Sequence, residues 1–271
     1  MLVFPNAKIN LGLNILNKRE DGFHNLETVF LPIAIKDVLE IIPSSTFEFT
    51  TSGNAIDVKP KENICTKAYQ LVKKDFPELS PVKIHLHKAT PLGAGLGGGS
   101  ADGAFTLTLL NKIFDLNLSA TQLIKYALQL GSDCPFFIYN YTCLASGRGE
   151  RLEKIDFDLS GYKIAVVNPD IHINTGWAFT QLTPALPVKS IKNIIHQPIN
   201  TWKGELKNDF EEPVFKQHPE IKSIKDELYN KGAIYASMSG SGSSVYGILK
   251  KEETIKLSFP AKYFVKELLL S

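Results

Sequence analysis

Five glycines fall within seven residues of the segment Pro91-Leu92-Gly93-Ala94-Gly95-Leu96-Gly97-Gly98-Gly99-Ser100-Ala101. Glycine reaches positive φ without strain and lets the backbone approach a ligand closely. Successive N–H groups of such a loop can converge on an anion. The segment leaves an alternating stretch, Val82–His87, and enters a helical pattern at Ser100–Phe114. Unpaired N–H groups and the positive dipole end at the helix start serve the same anion, and Ser100 adds a hydroxyl for a phosphate or its Mg²⁺. An ordinary turn would not repay the entropy that so many glycines lose on ordering, so the segment reads as a phosphate loop. Gly93, Gly95 and Gly98 satisfy G-x-G-x-x-G, but no βαβ unit opens the chain, and Asp115 follows the helix in a polar turn. No Lys-Ser/Thr pair follows the last glycine, and neither D-F-G nor H-R-D occurs.

Three other groups carry side chains suited to chemistry. Lys8 and Asn10 share one face of an alternating stretch whose other face is Ile9, Leu11, Leu13 and Ile15. That face is either a solvated strand surface or a cation and amide directed at a ligand. Asp133 follows the helix stop at Gly131 and precedes the apolar run Pro135–Phe137; it either shapes a turn or offers a partly desolvated carboxylate. Phe23 and His24 follow the turn Asp21-Gly22, as a hairpin aromatic with a solvated imidazole or as a stacking face with a donor–acceptor edge. The residues alone leave each pair of readings open. His85 and His87 share a strand face, but no third ligand lies nearby and catalytic zinc usually takes three; they read as surface residues.

The elements that must position these groups are mixed. Strands are predicted at Ala7–Leu16, Leu26–Leu31, Val38–Ile42, Phe47–Thr51 and Val82–His87, with later ones at Cys143–Ala145, Tyr162–Val167, Ala233–Ser237, Ser244–Leu249 and Tyr263–Leu269. Helices are predicted from an N-cap at Asn63 to about Phe76, then at Ser100–Phe114, Thr121–Leu130 (closed by Gly131), Trp177–Leu182, Lys207–Lys216 and Pro219–Lys231. Thr183–Pro198 reads as an exposed connection. The elements do not alternate regularly, so the class is α+β, and a change of character near Lys154 suggests domains at 1–154 and 155–271.

Composition narrows the partners. In 271 residues, 30 Lys and Arg against 28 Asp and Glu leave a net charge of +2, which is not the footprint of a dedicated nucleic-acid binder. No apolar run approaches a bilayer span, and Met1–Asn10 lacks the pattern of a signal peptide. Cys65, Cys134 and Cys143 form no paired motif, which suits a reducing, cytoplasmic setting. The expected partner is a small molecule, with neither nucleic acid nor membrane; monomer and homodimer are both open.

The loop Pro91–Ala101, together with Pro5-Asn6-Ala7-Lys8-Ile9-Asn10-Leu11 and Met238-Ser239-Gly240-Ser241-Gly242-Ser243-Ser244, resembles the motifs of the GHMP kinases, in family order and from end to end. Asp21-Gly22-Phe23-His24-Asn25-Leu26 and Gly131-Ser132-Asp133-Cys134-Pro135-Phe136-Phe137 are similar to one branch of that superfamily. Its alcohol substrate carries a cytidine diphosphate, and its product feeds isoprenoid synthesis. The resemblance implies a ribosomal-S5-like N-terminal domain, a ferredoxin-like C-terminal domain and an active site between them. It also implies ATP, with Mg²⁺, as phosphoryl donor to a 2-hydroxyl. Under the same resemblance Asp133 accepts or orients the hydroxyl proton and Lys8 offsets charge on the transferring group. Asn10, Phe23 and His24 meet the substrate. Lys88 and Asn63, with the loop Pro91–Ala101, meet the nucleotide. The segment 239–244 is a second glycine loop that buttresses the first; Ser243 and Ser244 stand where relatives often carry small residues and a Cys or Thr. Another kinase of the superfamily, a catalytically silent nucleotide or sugar sensor, and a dinucleotide-binding oxidoreductase are the competing readings.

Overall fold

A computed structural model describes residues 1–55, 58–253 and 256–270. In chain order the early elements are β1 (Leu2–Val3), β2 (Asn6–Lys18), β3 (His24–Lys36), β4 (Val38–Pro43), β5 (Glu48–Gly53), α1 (Ile64–Asp75), β6 (Val82–Lys88), α2 (Gly98–Ile113), α3 (Ala120–Leu130) and α4 (Cys134–Tyr139). They continue with β7 (Cys143–Gly147), β8 (Arg151–Lys154), β9 (Tyr162–Asn168), α5 (Thr175–Thr180), α6 (Ile191–Ile195), α7 (Trp202–Glu205), α8 (Glu211–Gln217), α9 (Pro219–Asn230), β10 (Tyr235–Met238), β11 (Val245–Lys250) and β12 (Phe264–Leu269).

These elements form two compact units, one of residues 1–7, 34–92 and 97–141, the other of 8–33, 93–96 and 142–271. The two units interleave along the chain. The cause is strand pairing: β2 and β3 lie in one sheet with β7 and β8, in the order β2-β3-β7-β8, which draws the early hairpin into the unit that holds the end of the chain.

In the first unit the sheet order is β1-β4-β6-β5, with β5 and β6 parallel and the other pairs antiparallel. Leu39, Ile41, Val82, Ile84 and Leu86 bury one face of it in a core shared with Ala68, Val72, Leu107, Leu110 and Leu123 of the helices. By the strand period Lys88 joins this inward set and not the outward set of Lys83, His85 and His87. The outward histidines bond to Thr50 and Ser52, as a surface reading expects. Asn63 caps α1 as expected, accepting from Cys65 N at 2.9 Å. Gly131 is the C-cap of α3 as expected, at φ 169, extended backbone that any residue adopts.

In the second unit β9 to β12 form an antiparallel sheet in the order β10-β11-β9-β12. That order is the one implied for a ferredoxin-like domain. Leu13 and Ile15 of β2, Val167, Ile221, Ile224, Leu228 and Val245 share its core. The connection 183–198 contains α6, where Ile191, Ile194 and Ile195 are buried; its prolines hid this short helix from pattern reading.

Candidate active site

β2 is buried on both faces, so its polar residues are interior groups and not a solvated surface. Lys8 is 3% exposed and Asn10 2%. The Lys8 ammonium donates to Asn10 Oδ1 at 2.6 Å and lies 4.7 Å from the centre of the Phe30 ring. Asn10 Nδ2 donates to Thr28 Oγ1, which donates to Gly12 O. Asn10 therefore aims the lysine. A buried amide whose oxygen takes the ammonium and whose nitrogen is fixed by a threonine leaves the lysine little choice of direction.

The second glycine loop follows β10. Gly240 and Gly242 have φ 58 and 95. Ser239 Oγ donates to Gly95 O at 2.8 Å, and Ser244 N donates to Ala94 O at 3.1 Å. Lys8 N donates to Leu96 O at 2.9 Å, and Ala94 and Leu96 are buried. The portion 93–96 of the phosphate loop is thus braced by β2 on one side and by the second glycine loop on the other, as the motif order implied. Gly95, at φ 75, is so close to that loop that a Cβ would lie 2.0 Å from Ser239 O.

Sequence reading missed the groups that hold the second loop. Asn208 Nδ2 donates to both Met238 O and Gly240 O at 2.8 Å, while its Oδ1 accepts from Phe210 N. Asn168 Nδ2 donates to Ser243 Oγ and Ser244 Oγ. No spacing in the chain links Asn208 to residue 240. Asn208→Ala should strip three bonds from a buried loop, cost about 2–3 kcal/mol, and lower Tm in a thermal melt; an unchanged Tm would show the loop to be held by other contacts.

His24 opens β3, and Phe23 immediately precedes it. Phe23 is 49% exposed, and the Arg148 guanidinium lies 3.6 Å from its ring centre. His24 stacks on Phe179 with centroids 4.9 Å apart. Burial, then the nearby Lys18, hold the imidazole below the ordinary histidine value, so at neutral pH it offers one donor and one acceptor. Arg148 and Phe179 are distant in sequence and were not foreseen.

In the first unit, Gly97 stands at the N-cap of α2 at φ 69, and the helix starts at Gly98 with no side-chain cap on its first-turn N–H groups. Asp133 stands at the N-cap of α4 without a side-chain capping bond to it. The next residue, Cys134, is buried in the core that it shares with Leu107 and Leu110 of α2. Phe136 and Phe137 are buried below. Two nucleotide expectations take another form here. Asn63 is 5% exposed and spends its oxygen on the α1 cap. Lys88 is 1% exposed, with its ammonium 2.5 Å from Asp37 Oδ2 and 2.7 Å from Asp102 Oδ2. Lys88 is an internal prop of the loop and not a surface cation. Lys8 belongs to the second unit and Asp133 to the first.

Comparison with known proteins follows the same lines. Residues 63–141 match the description "GHMP kinases N terminal domain" and residues 190–263 match "GHMP kinases C terminal". A 4-diphosphocytidyl-2-C-methyl-D-erythritol kinase of Bacteroides fragilis is 51% identical over 268 residues, 97% of each chain. A crystal structure of a 4-(cytidine 5'-diphospho)-2C-methyl-D-erythritol kinase superposes with a TM-score of 0.75 at 32% identity, covering 91% of this chain and 89% of the other. The Methanococcus jannaschii mevalonate kinase shares the fold, with a TM-score of 0.67 at 15% identity over 93% of this chain and 91% of that one.

Proposed function

This chain belongs to the GHMP kinase family, and from that membership we infer that it transfers the γ-phosphoryl group of ATP to the 2-hydroxyl of 4-diphosphocytidyl-2-C-methyl-D-erythritol, releasing ADP and the 2-phosphate. The observation that carries this reading is the 51% identity across 97% of both chains with a kinase of that name. The buried Lys8–Asn10 pair and the two interlocked glycine loops support it.

Lys8 and Asp133 have separate roles in the transfer. The Asp133 carboxylate takes the proton of the 2-hydroxyl as its oxygen bonds to the γ-phosphorus. The bond from that phosphorus to the β,γ-bridging oxygen breaks, and its electron pair leaves with ADP. Lys8, held by Asn10, offsets the negative charge on the transferring group. The backbone N–H groups of the loop and of the start of α2 hold the remaining phosphate oxygens. Mg²⁺ carried by ATP would supply further charge neutralisation. The Ser100 hydroxyl in the first turn of α2 is a hard oxygen donor of the kind that ion accepts, and magnesium bound with phosphates needs few protein ligands. Three free, buried thiols suit a cytoplasmic setting, and no helix among the described residues is long and apolar enough to cross a membrane.

The direct test is ADP release by the purified protein with the cytidine compound, homoserine and mevalonate in parallel. Turnover is expected with the cytidine compound; turnover with either of the others and none with it would overturn the reading. Phe23 is the proposed platform for the cytosine, with Arg148 on one ring face and the base on the other. Phe23→Ala should raise KM for the cytidine compound roughly 5- to 150-fold, the ~1–3 kcal/mol of a stacked base. KM for ATP should stay unchanged; a rise confined to ATP would place Phe23 in the wrong pocket.

A further inference from the structure

Both ends of the phosphate loop are tied to one buried ionic cluster. At the entry, Asp37 Oδ1 accepts from Ala89 N and Thr90 N, each at 2.7 Å. At the exit, the Lys88 ammonium abuts α2: a Cβ on Gly98, the first helical residue, would lie 3.0 Å from Nζ. Asp102, one turn further along α2, takes the same ammonium at 2.7 Å. The residues between Lys88 and Gly98 are therefore strung between two points of one cluster.

The cluster is unbalanced. Two carboxylates share one ammonium, and all three side chains are at most 2% exposed. The two carboxylates are not equivalent. Asp37 has three donors: Lys88 and two backbone N–H groups. Asp102 has one, and its Oδ1 is buried with no hydrogen-bond partner among the described residues. A buried net negative charge with an unpaired acceptor is costly, and it lies at the helix start proposed to hold phosphates. The other titratable group facing Asp102 is Cys65 of α1, whose thiol is pushed well above its usual range by burial first and then by Asp102; it stays neutral and supplies no balancing charge.

We propose that Asp102 is a positioning residue of the phosphate loop, acting through Lys88, and that the Asp37–Lys88–Asp102 cluster takes up a proton from solvent when the phosphates of ATP bind. This rests on the reading that the loop Pro91–Ala101 holds ATP. The proton goes to Asp102, the carboxylate with fewer donors. Burial outweighs the attraction of Lys88 and, with the Asp37 charge, raises the Asp102 carboxyl to about 7. Lys88 stays charged, because the two carboxylates together outweigh its own burial. Below that value the cluster is neutral and bound phosphate meets no opposing charge. Above it, binding must draw a proton from an ever more dilute supply, so affinity falls as pH rises.

The test is calorimetric titration of the whole protein with a Mg²⁺-saturated non-hydrolysable ATP analogue, in buffers of different ionisation enthalpy, from about pH 7 to about pH 9, corrected for the analogue's own titration. The wild type should take up as much as ~0.9 proton near pH 8 and lose up to about tenfold in affinity per pH unit. Asp102→Asn should bind with no uptake and a flat profile. Asp102→Ala, which drops the bond to Lys88, should bind more weakly at every pH, with Asn restoring affinity. Equal uptake in wild type and Asp102→Asn, or none in the wild type, overturns the inference, and the wild-type result decides even where a variant does not fold. No binding of the analogue by the wild type at any pH would instead refute the ATP reading on which the inference rests.

Discussion

Asp133→Asn is expected to lower kcat by ~10²–10⁴, the usual range for losing a general base, while both substrates still bind. Asparagine keeps the shape and a hydrogen-bonding oxygen but removes the charge and nearly all basicity. Asp133 makes no side-chain capping bond to α4, so the substitution removes no cap from that helix. Lys8→Met should also cut kcat, by removing the charge that faces the transferring group. It leaves Asn10 Oδ1 with only the longer bond from Ser239 Oγ at 3.5 Å, so part of the loss comes from the weakened hold on the amide. The double variant should lose less than the product of the single losses, since residues that act as a unit are not additive. Single-turnover and steady-state rates measure all three. Turnover within about threefold of wild type for Asp133→Asn would reduce that residue to positioning the hydroxyl.

The local signals for this site were strong, and the long-range ones were absent. The period of β2, the cap at Asn63 and the helix after the phosphate loop follow from side-chain spacing, and all appear in the structure. Motif order placed the two glycine loops together, and Ser239 and Ser244 do meet Gly95 and Ala94. What spacing did not carry was burial on the second face of β2. Alternation says which side chains share a face, not whether that face meets solvent. Lys8 and Asn10 therefore read as a wet surface when taken alone. Lys88 shows the converse: the same period puts it with Ile84 and Leu86, inside, but a lysine in that register has meaning only once Asp37 and Asp102 are brought to it by the fold. Asn208 and Phe179 have no local signature at all.

Gly95→Val is expected to abolish measurable binding of an ATP analogue. The position combines φ 75 with a Cβ that would lie 2.0 Å from a backbone oxygen, Ser239 O. Neither obstacle can be relieved by turning a flexible side chain, and a β-branched residue resists positive φ most. The phosphate loop and the second glycine loop must separate to admit it, which breaks the Ser239 Oγ–Gly95 O bond. Gly97→Val, at φ 69 on the cap of α2, should have the same effect by a different route, displacing the helix start. Titration of folded protein with the analogue measures both. Wild-type affinity in Gly95→Val would mean that the loop conformation is not what holds the phosphates.

The interleaving of the two units sets a timetable for the growing polypeptide. Leu13 and Ile15 emerge from the ribosome early, yet the core they enter is completed only by residues at and beyond Ala165, as far as Leu249. At ~5–20 residues per second, that apolar strand waits roughly 10–50 s for its partners. Its own sheet neighbour, β3, follows at once, but β7 and β8, which complete that sheet, arrive after the whole helical layer of the first unit. A nascent chain halted before β10 therefore displays β9 with both edges unpaired, since its neighbours β11 and β12 come later, which makes it a ready client for a holdase and a poor candidate for expression as a fragment.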